Sequence, residues 1–553
     1  MCHSALMGGP DAASSDEELG GDLFGAQARA SRRSRPAAPT DAHRCVQSDS
    51  ESEDGFVAGV FSYDAYEVDA SAGEVRYHYS HREARSGVAL ARFSTSLALP
   101  LPAGELPPGA HAAAFQAGLA SLPWLWLGLP TRRVAVRAGA LDAAACAFWA
   151  RAYNASLGEF FQAHGLPYPD ALTVECDATE RPLSPRGTAG GVDAPPPAPP
   201  SSRGGRPRRV LVPLGGGKDS LTVWEMLRAV PDAAMDHQAS TWFYLEDEPG
   251  EFAANWRYSA LVAASGAAGP ALVACHRWRC PRWEAARVRS FTPCGHPWAL
   301  LVAFSSALLA VLHGFDAVVV GNERSAGEGN GAYRGCEVNH QHDKALPFEL
   351  ACAAHLQRVV SPRLRYFSAL AHLWEVQVAQ RFCSPSIAAR YLRLFASCNE
   401  AASRPGGAPP SRACARCAKC LFVALLLAAF CDDPRDAWTY AGDDLLQNTA
   451  LAPLLGELLG RDGAAKPMDC VGTPREVALC VARARDAYIR AGLPLPALLA
   501  DARADADEAE GRRHEAMLHA EDGEHALPRW AMQACGADPA RYVGPPESDE
   551  EHE

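Results

Sequence analysis

The sequence predicts an α/β protein, a doubly wound parallel sheet with helices on both faces, preceded by a small α+β domain. Three observations carry this. Val210–Leu214, Thr241–Leu245 and Ala317–Val320 are short continuous apolar runs, the pattern of strands buried on both faces. They alternate with helical segments, among them the apolar stretches Trp298–Leu312 and Leu421–Phe430. Ahead of them Glu74–Tyr79 alternates, with Val75, Tyr77 and Tyr79 on one face and Glu74, Arg76 and His78 on the other, as a half-buried strand does.

In chain order, residues 1–55 read as an acidic tail of net charge −5. Residues 56–178 form the α+β unit. Asp69–Gly73 turns the chain into the Glu74–Tyr79 strand, Gly87–Pro100 supplies another strand, and Leu141–His164 is helical, with Phe148, Tyr153, Phe160 and Phe161 available for packing. Residues 179–208 turn to Pro, Gly, Ser and Arg, including Pro195–Pro200, a composition that favours extended linker conformations. Residues 209–440 hold the parallel sheet, 441–500 a helical extension, and 501–553 a second acidic tail of net charge −10.

Charge and length exclude several classes. The chain of 553 residues carries −13, so subtracting both ends leaves the middle at +2, too little basic charge to suggest a nucleic-acid partner. The apolar stretches are too short to span a bilayer, so no membrane partner is expected. Eighteen cysteines without an apolar leader segment read as reduced thiols in a cytoplasmic protein. Arg29–Arg35, with four arginines in seven residues, leaves a plastid as the alternative, although Asp16–Glu18 argues against a transit peptide.

The chemistry begins at Val210-Leu-Val-Pro-Leu-Gly-Gly-Gly-Lys-Asp-Ser220. A strand running through glycines into a helix start presents backbone N–H groups to phosphate oxygens, helped by the positive end of the helix dipole. Gly215, Gly216 and Gly217 allow close approach, Lys218 neutralises phosphate charge, and Ser220 adds a hydroxyl. Asp219 suits an anion site when a cation lies between it and the phosphates, which assigns it to Mg²⁺. A Walker A loop would need Gly at Val212 and Ser or Thr at Asp219. The run instead resembles the Ser-Gly-Gly-x-Asp-Ser signature of the PP-loop pyrophosphatases, with Gly215 replacing the first serine. That resemblance implies an adenine nucleotide alpha hydrolase-like fold that cleaves ATP to AMP and pyrophosphate.

Further blocks follow: Gly321–Asn330, Glu337–Gln341 with Lys344 and Phe348–Glu349, Phe395–Asn399, and Lys466-Pro-Met-Asp-Cys-Val-Gly472. With Leu157–Phe160 upstream, they are similar to successive blocks of the UDP-N-acetylmuramoyl-L-alanyl-L-glutamate epimerase family, over about Phe56 to Ala487. The resemblance implies ATP-dependent inversion of the terminal L-glutamate of a UDP-muramoyl dipeptide to D-glutamate, in peptidoglycan precursor synthesis. Adenylation explains the ATP: a mixed anhydride accepts electron density from the α-carbon, whereas a free carboxylate repels it.

Asn322, Glu323 and Arg324 follow the Ala317–Val320 strand, and ligands of doubly wound sheets collect at the carboxyl ends of strands. Asn322 and Arg324 are therefore nucleotide-site candidates. Glu323, Lys344, His340 and His296 are catalytic candidates, the histidines because imidazole titrates near neutrality. The alternative for each histidine is a structural hydrogen bond, and for Lys344 and Glu349 a place on the surface.

Cys398, Cys414, Cys417 and Cys420 offer four thiolates to one ion. Tetrahedral structural Zn²⁺ suits them, and the arrangement resembles the zinc site of queuosine-pathway PP-loop enzymes; an iron–sulfur cluster or unmetallated core cysteines are the alternatives. Two other functions compete with the epimerase: a PP-loop enzyme adenylating tRNA or a purine-like base, and a non-catalytic homologue.

Overall fold

The computed structural model describes residues 54–176, 206–398, 412–500 and 504–545. The expected linker and amino-terminal tail fall almost wholly outside them. The described strands are β1 (Val60–Asp69), β2 (Glu74–Arg82), β3 (Ala89–Ala98), β4 (Arg133–Val136), β5 (Thr173–Cys176), β6 (Val210–Pro213), β7 (Thr241–Glu246), β8 (Leu272–Arg277), β9 (Ala317–Val320), β10 (Gly331–Tyr333), β11 (Cys336–Val338) and β12 (Arg365–Ser368).

Ten of them form one sheet in the order β12-β9-β6-β7-β8-β3-β2-β1-β4-β5, and β10–β11 is a separate hairpin. Strands β12 to β8 are mutually parallel, and β1, β4 and β5 are parallel too. Only β8–β3, β3–β2 and β2–β1 are antiparallel, so the α/β class holds. The amino-terminal strands do not make a sheet of their own. Antiparallel pairing of Leu97 with His276 and Ala98 with Cys275 welds them to β8, a junction between residues far apart in sequence.

Local chemistry explains the elements. In β2 the side chains of Val75, Tyr77 and Tyr79 are buried, as the alternation predicts. The helix Ala110–Trp126 packs on the sheet so closely that a Cβ on Gly118 would lie 2.1 Å from the Tyr63 hydroxyl oxygen. Pro123 within it has no N–H for the Leu119 carbonyl, and the buried Tyr153 hydroxyl donates there instead, at 2.6 Å. The expected helix Leu141–His164 is two helices, Ala143–Ser156 and Gly158–Ala163, hinged at Leu157.

Two cores flank the sheet. On β6, Val210 and Val212 enter one and Leu211 the other, following strand alternation, and Leu214 just after the strand joins the first. The first core also takes the helices Ala418–Phe430 and Pro474–Arg490.

The expected carboxyl-terminal acidic tail, residues 501–553, is corrected over its described part. Helices Ala504–Arg513 and Arg529–Cys535 form, and Leu518, Leu527, Ala531 and Met532 are buried in the first core. Gly511 packs against Ala478, where a Cβ would meet the backbone oxygen at 2.1 Å. Glu515, Glu521, Asp522 and Glu524 are exposed, while Asp507 and Glu508 are part-buried against Arg461 and Arg485, so net charge concealed a spaced apolar set.

Candidate active site

The chain leaves β6 for β7 and β8 on one side, then returns to β9 and β12 on the other. The switch point thus lies between β6 and β9, where open α/β sheets bind ligands outside the strand ends. The carboxyl ends of β6, β9 and β12 lead to Asp219, Glu323 and Glu375. One carboxylate oxygen of each lies within 4.8 Å of the others. Gly321 makes this possible, since a Cβ there would stand 3.1 Å from the Asp219 carbonyl carbon.

Lys218 is buried among these acids, its Nζ 2.5 Å from Asp219 Oδ1 and 2.6 Å from Glu375 Oε1. Burial disfavours its charge, but Asp219, Glu375 and Glu323 outweigh this and raise its pKa. Burial, with Glu323 and Asp219, also holds Glu375 well above the carboxylate range despite Lys218. Three carboxylates around one ammonium leave an excess of negative charge, a donor set that fits a hard divalent cation. Sequence reading gave Asp219 a metal and Glu323 a catalytic role; the geometry puts both in one cluster and adds Glu375, which carried no motif.

The glycine loop is open where a phosphate would approach. A Cβ on Gly215 would meet nothing within 4 Å, so the space for a serine is present. Gly216 has φ +72°, and its carbonyl accepts the Ala396 N–H at 2.9 Å. Gly217 packs on Ser397, and Ser220 lies buried in the first turn of the helix Lys218–Leu227.

A cavity of about 300 Å³ opens beside this loop end, lined by Asn322, Glu323, Arg324 and Lys344 and roofed by Asp522, Glu524 and Arg541 from the carboxyl-terminal segment. Arg324 stacks 4.3 Å over Trp374 and pairs with Asp522 at 2.6 Å. Glu349 is not a surface group: it is buried, and burial pushes its carboxyl up to about 8.

Lys344 connects the cavity to a second cluster. Its Nζ donates to Cys470 Sγ at 3.1 Å and to Gln341 Oε1 at 3.3 Å. His340 lies beside Cys470, and its Nδ1 hydrogen-bonds Glu159 Oε2 at 2.6 Å. Burial alone would raise the Cys470 thiol, but Lys344, Lys419 and His340 bring it down to about 6. Burial opposes the imidazolium of His340, but Cys470 and Glu159 beside it raise its pKa well above the usual range. Asn330 ties the two loops together, accepting the His340 N–H at 2.8 Å and donating to the Pro467 carbonyl at 2.6 Å. Cys470 and Glu159 stood within blocks already noted but drew no role there; only their convergence on His340 reveals them.

His296 occupies a different setting, packed between Trp124 and Trp278, where burial pushes it down to about 4 and keeps it neutral. It does not line the cavity described above.

The sulfur atoms of Cys398, Cys414, Cys417 and Cys420 lie within 4.8 Å of one another. Zn–S bonds of about 2.3 Å at tetrahedral angles place sulfurs about 3.8 Å apart; Cys414 and Cys420 Sγ are separated by 3.8 Å. Ala415 has φ +62°, turning the chain so that the Cys420 N–H points at Cys417 Sγ, 3.4 Å away. The donors therefore fit Zn²⁺. The cluster touches both ends of the site. Ala396 and Ser397 brace the glycine loop, while the Lys419 N–H donates to Asp469, the neighbour of Cys470, at 3.3 Å.

Reactive groups gathered where an α/β sheet reverses its winding mark this protein as an enzyme. Two family domains match it: the MurL N-terminal domain over residues 54–241 and 287–369, and the MurL C-terminal domain over 394–514. The chain belongs to the MurL family. Its relatives include the UDP-N-acetyl-alpha-D-muramoyl-L-alanyl-L-glutamate epimerases of a Micromonospora strain, 31% identical over 77% of this chain and 88% of the relative, and of Salinispora tropica, 30% identical over 75% and 82%. The epimerase of Xanthomonas oryzae pv. oryzae is 36% identical over 48% of this chain and 54% of its own. By name these relatives are isomerases. No solved structure matches the chain. Among the described residues no helix is long and apolar enough to cross a membrane.

Proposed function

We propose that this protein is an ATP-dependent isomerase that inverts the terminal L-glutamate of UDP-N-acetylmuramoyl-L-alanyl-L-glutamate through an acyl-adenylate, releasing AMP and diphosphate. The observation that carries the reading is the meeting of the glycine loop and the Asp219, Glu323 and Glu375 carboxylates at the switch point of a chain whose relatives bear that epimerase name.

In this reading Gly215, Gly216, Gly217 and Ser220 hold the nucleotide phosphates, and Lys218 neutralises them. Asp219, Glu323 and Glu375 would hold Mg²⁺, which supplies charge neutralisation for the phosphates when bound. Asn322 and Arg324 bind substrate or nucleotide in the cavity, Arg324 exchanging Asp522 for a phosphate or carboxylate in a bidentate pair. Lys344 faces the acyl group, where an ammonium favours electron density leaving the α-carbon for the carbonyl oxygen. His340 supports proton transfer from its place beside Cys470. His296, neutral and among tryptophans, is the weaker candidate for it. Structural Zn²⁺ would hold the Cys398–Cys420 loop against both the glycine loop and Asp469. The location proposed is cytoplasmic.

The test is pyrophosphate and AMP release on mixing protein, Mg²⁺·ATP and the UDP-muramoyl L-Ala-L-Glu dipeptide, with chiral analysis of the glutamate. D-glutamate formed only with ATP supports the reading. A nucleotide product that appears without any inversion would remove it.

A further inference from the structure

We propose that Cys470 is a catalytic base of the inversion, its thiolate removing the α-proton from one face of the activated glutamate while His340 and Glu159 orient and balance it. This inference rests on the functional reading above and names a group to which the sequence assigned no role.

Four features of the structure point to Cys470. Cys470 is the only sulfur given a direct bond to an ammonium, Lys344 Nζ at 3.1 Å, among the described hydrogen bonds. That same ammonium lines the cavity holding Asn322, Glu323 and Arg324, so the thiolate lies one side chain from the expected acyl group. His340 lies beside the sulfur and is itself held by Glu159 at 2.6 Å, so a fixed imidazolium joins Lys344 in favouring the thiolate. Finally, Cys470 is half-buried rather than sealed, unlike Cys352 or Cys480 in the core.

The groups facing Cys470 are Lys344, Lys419 and His340 on the cationic side, with Asp469 and Glu159 behind them. Two ammonium groups and an imidazolium balance two carboxylates and a thiolate, so once the sulfur takes a proton one positive charge is left in excess. That excess favours an anion, as an enolate formed beside Lys344 would be. Thiolate chemistry also suits a carbon acid, because sulfur is weakly hydrated and basic enough once the ester-like carbonyl acidifies the α-carbon.

The α C–H bond breaks, its proton forms S–H on Cys470, and the electron pair moves to the acyl oxygen as an enolate. The enolate carbon then takes a solvent-derived proton on its opposite face. Cys470 returns its own proton to solvent, so none is consumed. His340 retains its proton throughout and acts as a positioning residue for the sulfur.

The experiment uses the full chain. Wild type and Cys470→Ser are incubated with the dipeptide, Mg²⁺ and ATP in deuterated water, and pyrophosphate and α-deuterium are measured together with thermal melting. The expected result is pyrophosphate release close to wild type with α-deuteration down by about two to four orders of magnitude, the usual worth of a general base. Equal loss of both activities, or unimpaired deuteration, overturns the proposal. So does a glutamyl adduct on wild-type Cys470 by intact mass, which would make the sulfur a nucleophile. Independently of any variant, peptide-resolved alkylation by iodoacetamide should follow a midpoint of about 6 at Cys470, with bound ATP and dipeptide protecting it; a midpoint at the ordinary ~8.5 of a free thiol overturns it. Wild type that neither releases pyrophosphate nor gains deuterium overturns the functional reading itself, and the α-proton role falls with it.

Discussion

The two ends of the site bury ammonium groups for opposite purposes. At the glycine loop Lys218 stands among three carboxylates, and the surplus charge is negative. At the second cluster Lys344 and Lys419 flank one thiolate with His340 beside it and Glu159 and Asp469 behind, so the charges cancel until the sulfur takes a proton and leaves one positive charge in excess. In the proposed reaction one end receives a cation and the other an anion. A reaction that first handles Mg²⁺·ATP and then stabilises an enolate needs both, in that order. The contrast teaches that the steps are separable: damage at the loop should stop everything, and damage at the thiolate should stop only proton transfer.

The largest effect expected follows from the cation end. Asp219→Asn removes a charge aimed at the metal, and both pyrophosphate release and α-deuteration should fall on the order of 100-fold or more, with melting preserved. Full activity in that variant, measured beside its melting curve, would break the comparison at once. The carboxyl-terminal segment comes next. Deleting residues 504–553 removes buried Leu518, Leu527, Ala531 and Met532 and the roof formed by Asp522, and should lower the melting midpoint by about 5 °C or more. An unchanged midpoint by calorimetry would show that the packing there contributes nothing.

The cysteine cluster braces both ends, so its loss should weaken them together rather than separate them. Metal analysis should find close to one zinc per chain, and a strong chelator should lower melting and both half-reactions in parallel. No zinc in protein purified without chelator, and no response to added zinc, would count against the site. The pH dependence sharpens the thiolate end. The Cys470 pKa is depressed to about 6, so the thiolate is present above that value, and α-deuteration should decline as pH drops through about 6. A profile flat through that range, with substrate bound and melting unchanged, would detach the rate from this group. The smallest effect belongs to Gly215→Ser. A Cβ there meets open space, and activity should stay within about twofold; a large loss would mean that the serine-to-glycine departure is functional.

Much of this was legible because it is local. The strand Val210–Pro213, the three glycines and the helix start lie within a dozen residues, and their periodicity and backbone freedom write the loop directly into the sequence. Asn322 and Glu323 could be placed by the rule of strand carboxyl ends. Glu375 could not, since nothing beside it in sequence marks a carboxylate that arrives from β12. The His340–Glu159 bond spans 181 positions and depends on the amino-terminal unit sharing the sheet, which rests on the β3–β8 pairing. The carboxyl-terminal helices were read as a tail because net charge averages over faces, whereas Leu527 and Ala531 are buried one turn apart beside exposed acids and bases.

The central claim is that activation at one end licenses proton transfer at the other, and one measurement tests it most directly. Wild-type protein is incubated in deuterated water with UDP-N-acetylmuramoyl-L-alanyl-L-glutamate and Mg²⁺, with and without ATP, and the glutamate is analysed for configuration and α-deuterium. The account predicts D-glutamate carrying deuterium at the α-carbon, accompanied by AMP and pyrophosphate, and no label at all when ATP is omitted. Inversion without ATP, or pyrophosphate release with no α-deuterium, would contradict it.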